Sequence, residues 1–158
     1  MLLTVHSNMS ARNNRYRILV SDREKNTRDA VAEIFTDAGY KVDAAGSGSE
    51  TIEMLTRQSY DLIFCDLDLP KKSGFEIVRM ARALNRDARI VVTSAQGEPV
   101  NRTRMKKEGA FDFLDKPLRR ATLLAAARNA LRSTGMSSTS DAAVSTGTHG
   151  DREHSRPA

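Results

Sequence analysis

Several polar side chains stand at or just after the ends of short apolar runs in this sequence. They are Asp22, Asp66, Lys116 and the adjacent pair Thr93 and Ser94. In an open parallel sheet, ligands bind at the carboxyl ends of the strands. If the runs are parallel strands, two acids, a hydroxyl and an amine meet at one edge. A carboxylate can act there as a nucleophile and lysine as a compact positive charge, so the set is suited to group transfer.

Short β-rich apolar runs alternate with segments of helical spacing along the chain. Between the first two runs, for example, Val31, Ile34, Phe35 and Ala38 recur at the spacing of one helix face. Five such units in series predict an α/β fold, a doubly wound five-stranded parallel sheet with helices on both faces. The predicted strands cover residues 17–21, 40–45, 61–66, 89–94 and 110–114, and the last two helices cover residues 99–108 and 119–131.

Length and composition favour one compact domain with two tails. Residues 1–14 are polar and are predicted to be a flexible N-terminal arm, and residues 15–132 form the domain. Residues 133–158 are rich in Ser, Thr and Gly and poor in large apolar residues. Such a segment buries too little surface to offset its ordering entropy, so a disordered tail is predicted, with no room for a DNA-binding domain.

The composition also narrows the class of protein. No apolar stretch approaches the ~20 residues of a membrane-spanning helix, and the N-terminal apolar run is too short for a signal peptide. A cytoplasmic protein with no membrane association is therefore expected. Cys65 is the single cysteine, which excludes an internal disulfide and a cysteine-cluster metal site. The net charge of +5 is spread along a chain with few aromatics, so nucleic-acid binding is disfavoured.

Two longer motifs surround the strand-end residues. Residues 66–74 read Asp-x-x-x-Pro-x-x-x-Gly, and residues 109–117 begin Gly-Ala and end Lys-Pro. With these motifs, with Ala45-x-x-Gly48 and with Arg28, the chain resembles the receiver domains of two-component response regulators from about Tyr16 to Arg132. The resemblance implies the flavodoxin-like receiver fold in a single-domain protein.

The resemblance also implies a function and residue roles. Asp66 would accept a phosphoryl group from a histidine kinase or phosphotransfer protein of a phosphorelay, and the output would pass through protein contact. The chain would be a phosphoacceptor with self-catalysed phosphorylation and dephosphorylation, not an enzyme acting on other molecules. Lys116 would contact a phosphoryl oxygen, a hydroxyl would contact another (Ser94, with Thr93 as runner-up), and Phe113 would be the aromatic switch residue.

The family's magnesium site is implied only in part. Mg²⁺ would be held by the carboxylates of Asp22 and Asp66 and the backbone carbonyl of Asp68, in keeping with its preference for oxygen ligands. The family has a second acid directly after the first as a direct ligand, but Arg23 stands there, and a guanidinium cannot ligate a metal. Asp68 or Glu24 are candidates to compensate. The alternative function is a pseudo-receiver, an interaction module with impaired Mg²⁺ binding and little or no phosphorylation.

The family's fourth helix, fifth strand and fifth helix often form the signalling face. Because like charges in a two-fold interface repel, we expect no stable homodimer through this face here, and instead an acidic output partner. The cations on its two helices are Arg102, Arg104, Lys106, Lys107, Arg119, Arg120, Arg128 and Arg132.

A nucleotide- or flavin-binding enzyme on the same fold is the third class of function. The chain has no Gly-x-x-x-x-Gly-Lys-Ser/Thr motif. Gly46-Ser47-Gly48 is followed by Thr51 where a dinucleotide fingerprint needs a third glycine. This class is therefore disfavoured.

Overall fold

The computed structural model describes residues 9–95 and 99–140, without the side chains of Val100 and of residues 133–140. Its five strands are β1 (Arg17–Ser21), β2 (Lys41–Ala45), β3 (Leu62–Asp66), β4 (Arg89–Ser94) and β5 (Asp112–Asp115). Its main helices are α1 (Lys25–Asp37), α2 (Gly48–Arg57), α3 (Gly74–Leu84), α4 (Pro99–Glu108) and α5 (Arg120–Ser140). No helix in the described part of the chain is both long and apolar enough to cross a membrane.

All strand pairings in the sheet are parallel, in the spatial order β2-β1-β3-β4-β5. The chain therefore reverses its direction of winding after β2, next to the central pair β1 and β3. The doubly wound sheet predicted from the sequence is confirmed. Because every strand runs the same way, the residues that end the strands meet at one edge of the sheet.

The core lies on both faces of the sheet. Residues of α1 and α5, including Phe35 and Leu123, pack over one face, while α2, α3 and α4 cover the other with residues such as Leu55, Ile77 and Met105. Every residue of β3 is buried, which explains why that strand is an almost unbroken apolar run. The buried central strand holds Asp66 at a fixed point of the edge.

Serine caps start the two helices that flank the site. The side chain of Ser47 accepts a hydrogen bond from the Glu50 N–H at 3.1 Å. Ser73 does the same for the Glu76 N–H at 3.4 Å. These interactions satisfy N–H groups that the first helical turn leaves free. Gly74 begins α3 against the backbone of Leu67, where an added Cβ would lie 2.7 Å from the Leu67 Cα. The loop after Asp66 is thus held closely against the start of α3.

Strand β5 begins two residues later than the sequence predicted. Residue 110 was expected to start it, but the Ala110 N–H is bonded to the Met105 carbonyl of α4 at 2.9 Å. Gly109 stands at a positive φ of 111° directly before it. These two residues therefore end the helix, because a chain leaving a helix commonly takes a left-handed conformation at a glycine.

The described residues cover part of the predicted flexible arm and of the predicted disordered tail, and the domain bounds 1–14, 15–132 and 133–158 stay predictions. Residues 9–13 form a short N-terminal helix, and the Asn13 side chain donates to the Ala38 carbonyl at 2.8 Å. At the other end, α5 continues to Ser140 rather than stopping near residue 131. The remainder of both predictions, residues 1–8 and 141–158, lies outside the described residues.

Candidate functional site

Asp22, Asp66 and Lys116 meet at the carboxyl edge of the sheet. The Lys116 Nζ lies 2.8 Å from Asp22 Oδ2 and 3.2 Å from Asp66 Oδ2. The two carboxylate side chains are only 5% and 4% exposed, and the lysine side chain is 20% exposed. Three strand ends therefore bring together the acid, acid and amine that the sequence placed at one edge.

Local turns fix the orientation of both carboxylates. Asp22 Oδ1 accepts a hydrogen bond from the Glu24 N–H at 2.9 Å, and Asp66 Oδ1 accepts one from the Asp68 N–H at 3.0 Å. Each acid thus binds the backbone two residues ahead with one oxygen and Lys116 with the other. Arg28, the arginine singled out in the sequence, donates to the Asp22 carbonyl at 2.8 Å and ties α1 to the end of β1.

The electrostatics of the site follow from its burial. Desolvation raises the pKa of Asp66, although the Asp68 N–H and the charge of Lys116 oppose that shift. Desolvation alone would lower the pKa of Lys116, but the hydrogen bond to Asp22 and the charges of Asp66 and Asp22 outweigh it and raise the pKa. Lys116 is therefore charged in the folded protein and available to neutralise an anion at the edge.

Both candidate hydroxyls are buried at the end of β4. Thr93 is 3% exposed and pairs in register with Asp66 across the two strands, which places their side chains on the same face of the sheet. Ser94 is 1% exposed and lies one residue further along, where its carbonyl accepts the Lys116 N–H at 2.8 Å. Register favours Thr93, whereas the sequence match favours Ser94, and the choice stays a prediction.

Arg23 faces a hollow in front of the loop that follows Asp66. The hollow has a volume of about 580 Å³, and its other lining residues are Leu67 to Ser73 and Glu76. The side chains of Arg23, Glu24 and Asp68 are exposed, and neither acid adds a carboxylate to the buried cluster. The candidates that could have compensated for Arg23 are thus next to the site but not in it.

The donor set can be compared with the needs of a magnesium ion. All the carboxylate oxygens of Asp22 and Asp66 already accept a hydrogen bond from a protein donor. Within the described residues, no group of three His, Cys, Asp or Glu side chains could hold a metal. With Arg23 in place of the direct acidic ligand, the residues present supply one carboxylate fewer than the Mg²⁺ site of the family. Ligation by the predicted set, Asp22, Asp66 and the Asp68 carbonyl, stays a prediction.

Phe113 lies beneath Arg102, which the sequence placed among the cations of the predicted signalling face. Phe113 is 4% exposed, and the Arg102 guanidinium carbon is 4.8 Å from the centroid of its ring. Arg102 also donates to the Phe113 carbonyl at 3.2 Å and pairs with Asp115. No sequence signal pointed to this contact, because a separation of 11 or 13 residues matches no local periodicity.

Comparisons with known proteins agree with this geometry. The family model of the response regulator receiver domain matches residues 18–128. The transcriptional regulatory protein CusR of Escherichia coli (strain K12) is 36% identical over 116 residues, which cover 73% of this chain and 51% of CusR. The solved chemotaxis response regulator CheY4 of Vibrio cholerae is 28% identical with a TM-score of 0.69, covering 73% of this chain and 98% of CheY4.

A CheY-like receiver domain protein from Methanospirillum hungatei JF-1 supports the fold alone. It has a TM-score of 0.75 at 22% identity, and the match covers 77% of this chain and 98% of that one. The chain spans about half the length of the curated relatives it matches.

The chain therefore belongs to the response regulator receiver domain family. Receiver domains are the phosphoacceptors of two-component signalling and work with histidine kinases, and they bind Mg²⁺ at the site of phosphorylation. The fold and family expected from the sequence are confirmed.

Proposed function

We propose that this protein is a phosphorylation-dependent signalling switch in which Asp66 accepts a phosphoryl group from a histidine kinase or a phosphotransfer protein of a phosphorelay. The observation that carries the proposal is the contact of one charged lysine with two buried carboxylates at the edge of the sheet. We further propose that the protein passes its signal on in the cytoplasm by contact with another protein.

The chemistry is a nucleophilic displacement at phosphorus. A carboxylate oxygen of Asp66 attacks the phosphorus of a phosphohistidine, the P–N bond breaks, and the imidazole leaves with the electron pair and takes up a proton. The product is an acyl phosphate on Asp66. Transfer of this kind depends on alignment and on neutralisation of the phosphoryl oxygens. Lys116 supplies a positive charge 3.2 Å from Asp66, and a hydroxyl of Ser94 or Thr93 is the candidate for a further hydrogen bond.

Substitution of the acceptor tests the proposal. The wild type is incubated with acetyl phosphate, and intact mass spectrometry is used to detect one added phosphoryl group. We expect Asp66→Asn to abolish the adduct while keeping the fold, because the amide is not a nucleophile of comparable strength. An adduct that persists in Asp66→Asn would place the acceptor elsewhere.

A pseudo-receiver is the second candidate, favoured by one observation. Arg23 stands where the family has a metal-binding acid, and the carboxylate oxygens of Asp22 and Asp66 are all engaged by protein donors. In this alternative the protein is a constitutive interaction module with little or no phosphorylation. Absence of any adduct from acetyl phosphate and from kinases, in a protein that is folded, would favour it.

The output face proposed for this switch comprises α4, β5 and α5. Apart from Arg102, which is bound to β5, its cations are exposed to solvent, so an acidic partner protein is the expected ligand. The exposed cations are Arg104, Lys106, Lys107, Arg119, Arg120, Arg128 and Arg132.

A further inference from the structure

Among the four side chains Asp22, Asp66, Lys116 and Arg23, the charges balance without a metal ion. Asp22 and Asp66 supply two carboxylates, Lys116 supplies one positive charge, and Arg23, next to Asp22 in the chain, supplies another. Arginine stays protonated at every pH at which proteins are folded. Two negative and two positive charges therefore cancel. A receiver site that has a carboxylate in place of Arg23 has a net charge more negative by two than the site of this protein.

The Arg23 side chain is available for a ligand. It is exposed and lines the hollow of about 580 Å³ together with Leu67 and Asp68, the two residues that follow Asp66. Within residues 9–95 and 99–140, no hydrogen bond or ion pair holds its guanidinium. Arg28 differs, because it is bound to the Asp22 carbonyl. A free guanidinium at the hollow lined by the two residues that follow Asp66 suits a phosphoryl group, whose oxygens match the planar guanidinium donors.

We propose that Arg23 is a phosphoryl-binding residue whose guanidinium acts with Lys116 to neutralise the phosphoryl oxygens, so that Asp66 is phosphorylated without a divalent ion. This inference rests on the proposed function. With acetyl phosphate as donor, a carboxylate oxygen of Asp66 attacks phosphorus, the bond from phosphorus to the acetate oxygen breaks, and acetate leaves with the electron pair. The step needs no proton and no further reactant. The acyl phosphate carries more negative charge than the carboxylate it replaces, which increases its need for both cations.

The test measures the rate of adduct formation from acetyl phosphate by intact mass spectrometry, in excess EDTA and in excess Mg²⁺. We expect the wild type to react at comparable rates in both. Arg23→Gln should react about tenfold to a hundredfold more slowly in EDTA, as expected for loss of a charge-assisted hydrogen bond. Arg23→Lys keeps the positive charge but lacks the planar set of guanidinium donors. Its rate of adduct formation in EDTA should lie between those of the wild type and Arg23→Gln. Arg23→Asp should be slow in EDTA and accelerated by Mg²⁺, with tighter Mg²⁺ binding in titration calorimetry.

The matched control is Arg86→Gln, which removes the same charge from an exposed arginine beyond the end of α3, at the opposite edge of the sheet. It should leave both rates unchanged. Labelling of the wild type only in Mg²⁺, or equal rates of wild type and Arg23→Gln in EDTA, would overturn the role of Arg23 and leave the proposed function intact. Absence of labelling by acetyl phosphate in both conditions would overturn this inference, and absence of labelling by histidine kinases as well would overturn the proposed function.

Discussion

Lys116 holds two buried carboxylates that would otherwise repel each other. Its Nζ is within 3.2 Å of both, and the side chains of Asp22 and Asp66 are only 5% and 4% exposed. At the scale of a single residue, this makes the lysine a structural group as well as the proposed phosphoryl ligand. Removing it leaves like charges facing each other in a place of low dielectric.

Lys116→Ala is expected to lower the free energy of unfolding at about pH 7 by up to about 3 kcal/mol, because a partly buried ion pair loses one partner. The loss should be smaller at about pH 4, near the ordinary pKa of a carboxyl group. The pKa of Asp66 is already raised by burial, and protonation then removes the repulsion. A carboxyl group with a raised folded-state pKa stabilises the folded protein while it is protonated. That stabilisation is lost as pH rises through the pKa, so the variant should be less destabilised at the lower pH.

Urea denaturation at both pH values measures this difference. Lys25→Ala is the control, because its solvent-exposed ion pair with Asp29 should contribute little to stability. The variant should also be labelled by acetyl phosphate more slowly than the wild type. Equal stability of Lys116→Ala and wild type at both pH values would contradict the structural part of this role.

The two hydroxyls of β4 can be separated by paired substitutions. The sequence match predicts that Ser94→Ala slows adduct formation at Asp66 by about tenfold or more, as expected for loss of a hydrogen bond to a charged phosphoryl oxygen. Thr93→Val should then leave the rate nearly unchanged. Stopped time courses of labelling give the rates, and thermal denaturation shows whether each variant is folded. The reverse pattern would assign the role to Thr93, which the strand register places opposite Asp66.

At the scale of elements, Arg102 joins α4 to β5. One guanidinium pairs with Asp115, donates to the Phe113 carbonyl and stacks on the Phe113 ring. Met105 is the only fully buried large side chain of α4 among the described residues, and two contacts tie the helix to α3, the Glu108–Arg79 ion pair and the stacking of Arg104 on Phe75. The attachment of α4 to β5 therefore depends mainly on Arg102.

Arg102→Gln should loosen this attachment and reduce stability by about 1–2 kcal/mol, the sum expected for a partly exposed ion pair and a cation–π contact. Hydrogen exchange should become faster at the amides of β5 and α4 while the amides of β3 keep their protection. Lys107→Gln, an exposed cation on the same helix, is the control. Unchanged protection of β5 in Arg102→Gln would show that other contacts hold the helix.

At the scale of the whole molecule, positive charge is concentrated on the face formed by α4, β5 and α5. We expect the phosphorylated protein to sediment as a monomer, because a two-fold dimer through this face would set like charges against each other. Sedimentation velocity at low and at moderate salt checks this expectation. Binding of an acidic partner should weaken as salt rises, since screening shortens the range of the attraction. A tight dimer that buries this face would contradict the prediction.

The sequence alone determined the order of the elements and the edge at which the polar residues meet. A buried central strand must be an apolar run, and a parallel sheet places all its strand ends together, so Asp22, Asp66 and Lys116 could be predicted as neighbours from spacing and type. The family motifs then singled out Asp66 as the acceptor. Element boundaries were less well determined, as at β5 and α5, because helix ends depend on hydrogen bonds that the apolar pattern does not record.

Only the tertiary structure decided which charges are paired and which are free. Lys116 binds both carboxylates over separations of 94 and 50 residues, Arg102 is taken up by β5, and Arg23 is left without a protein partner among the described residues. All three residues are cations in the sequence, and no periodicity distinguishes them. Their roles differ because ion pairing depends on distance and burial, which the folding of remote segments sets.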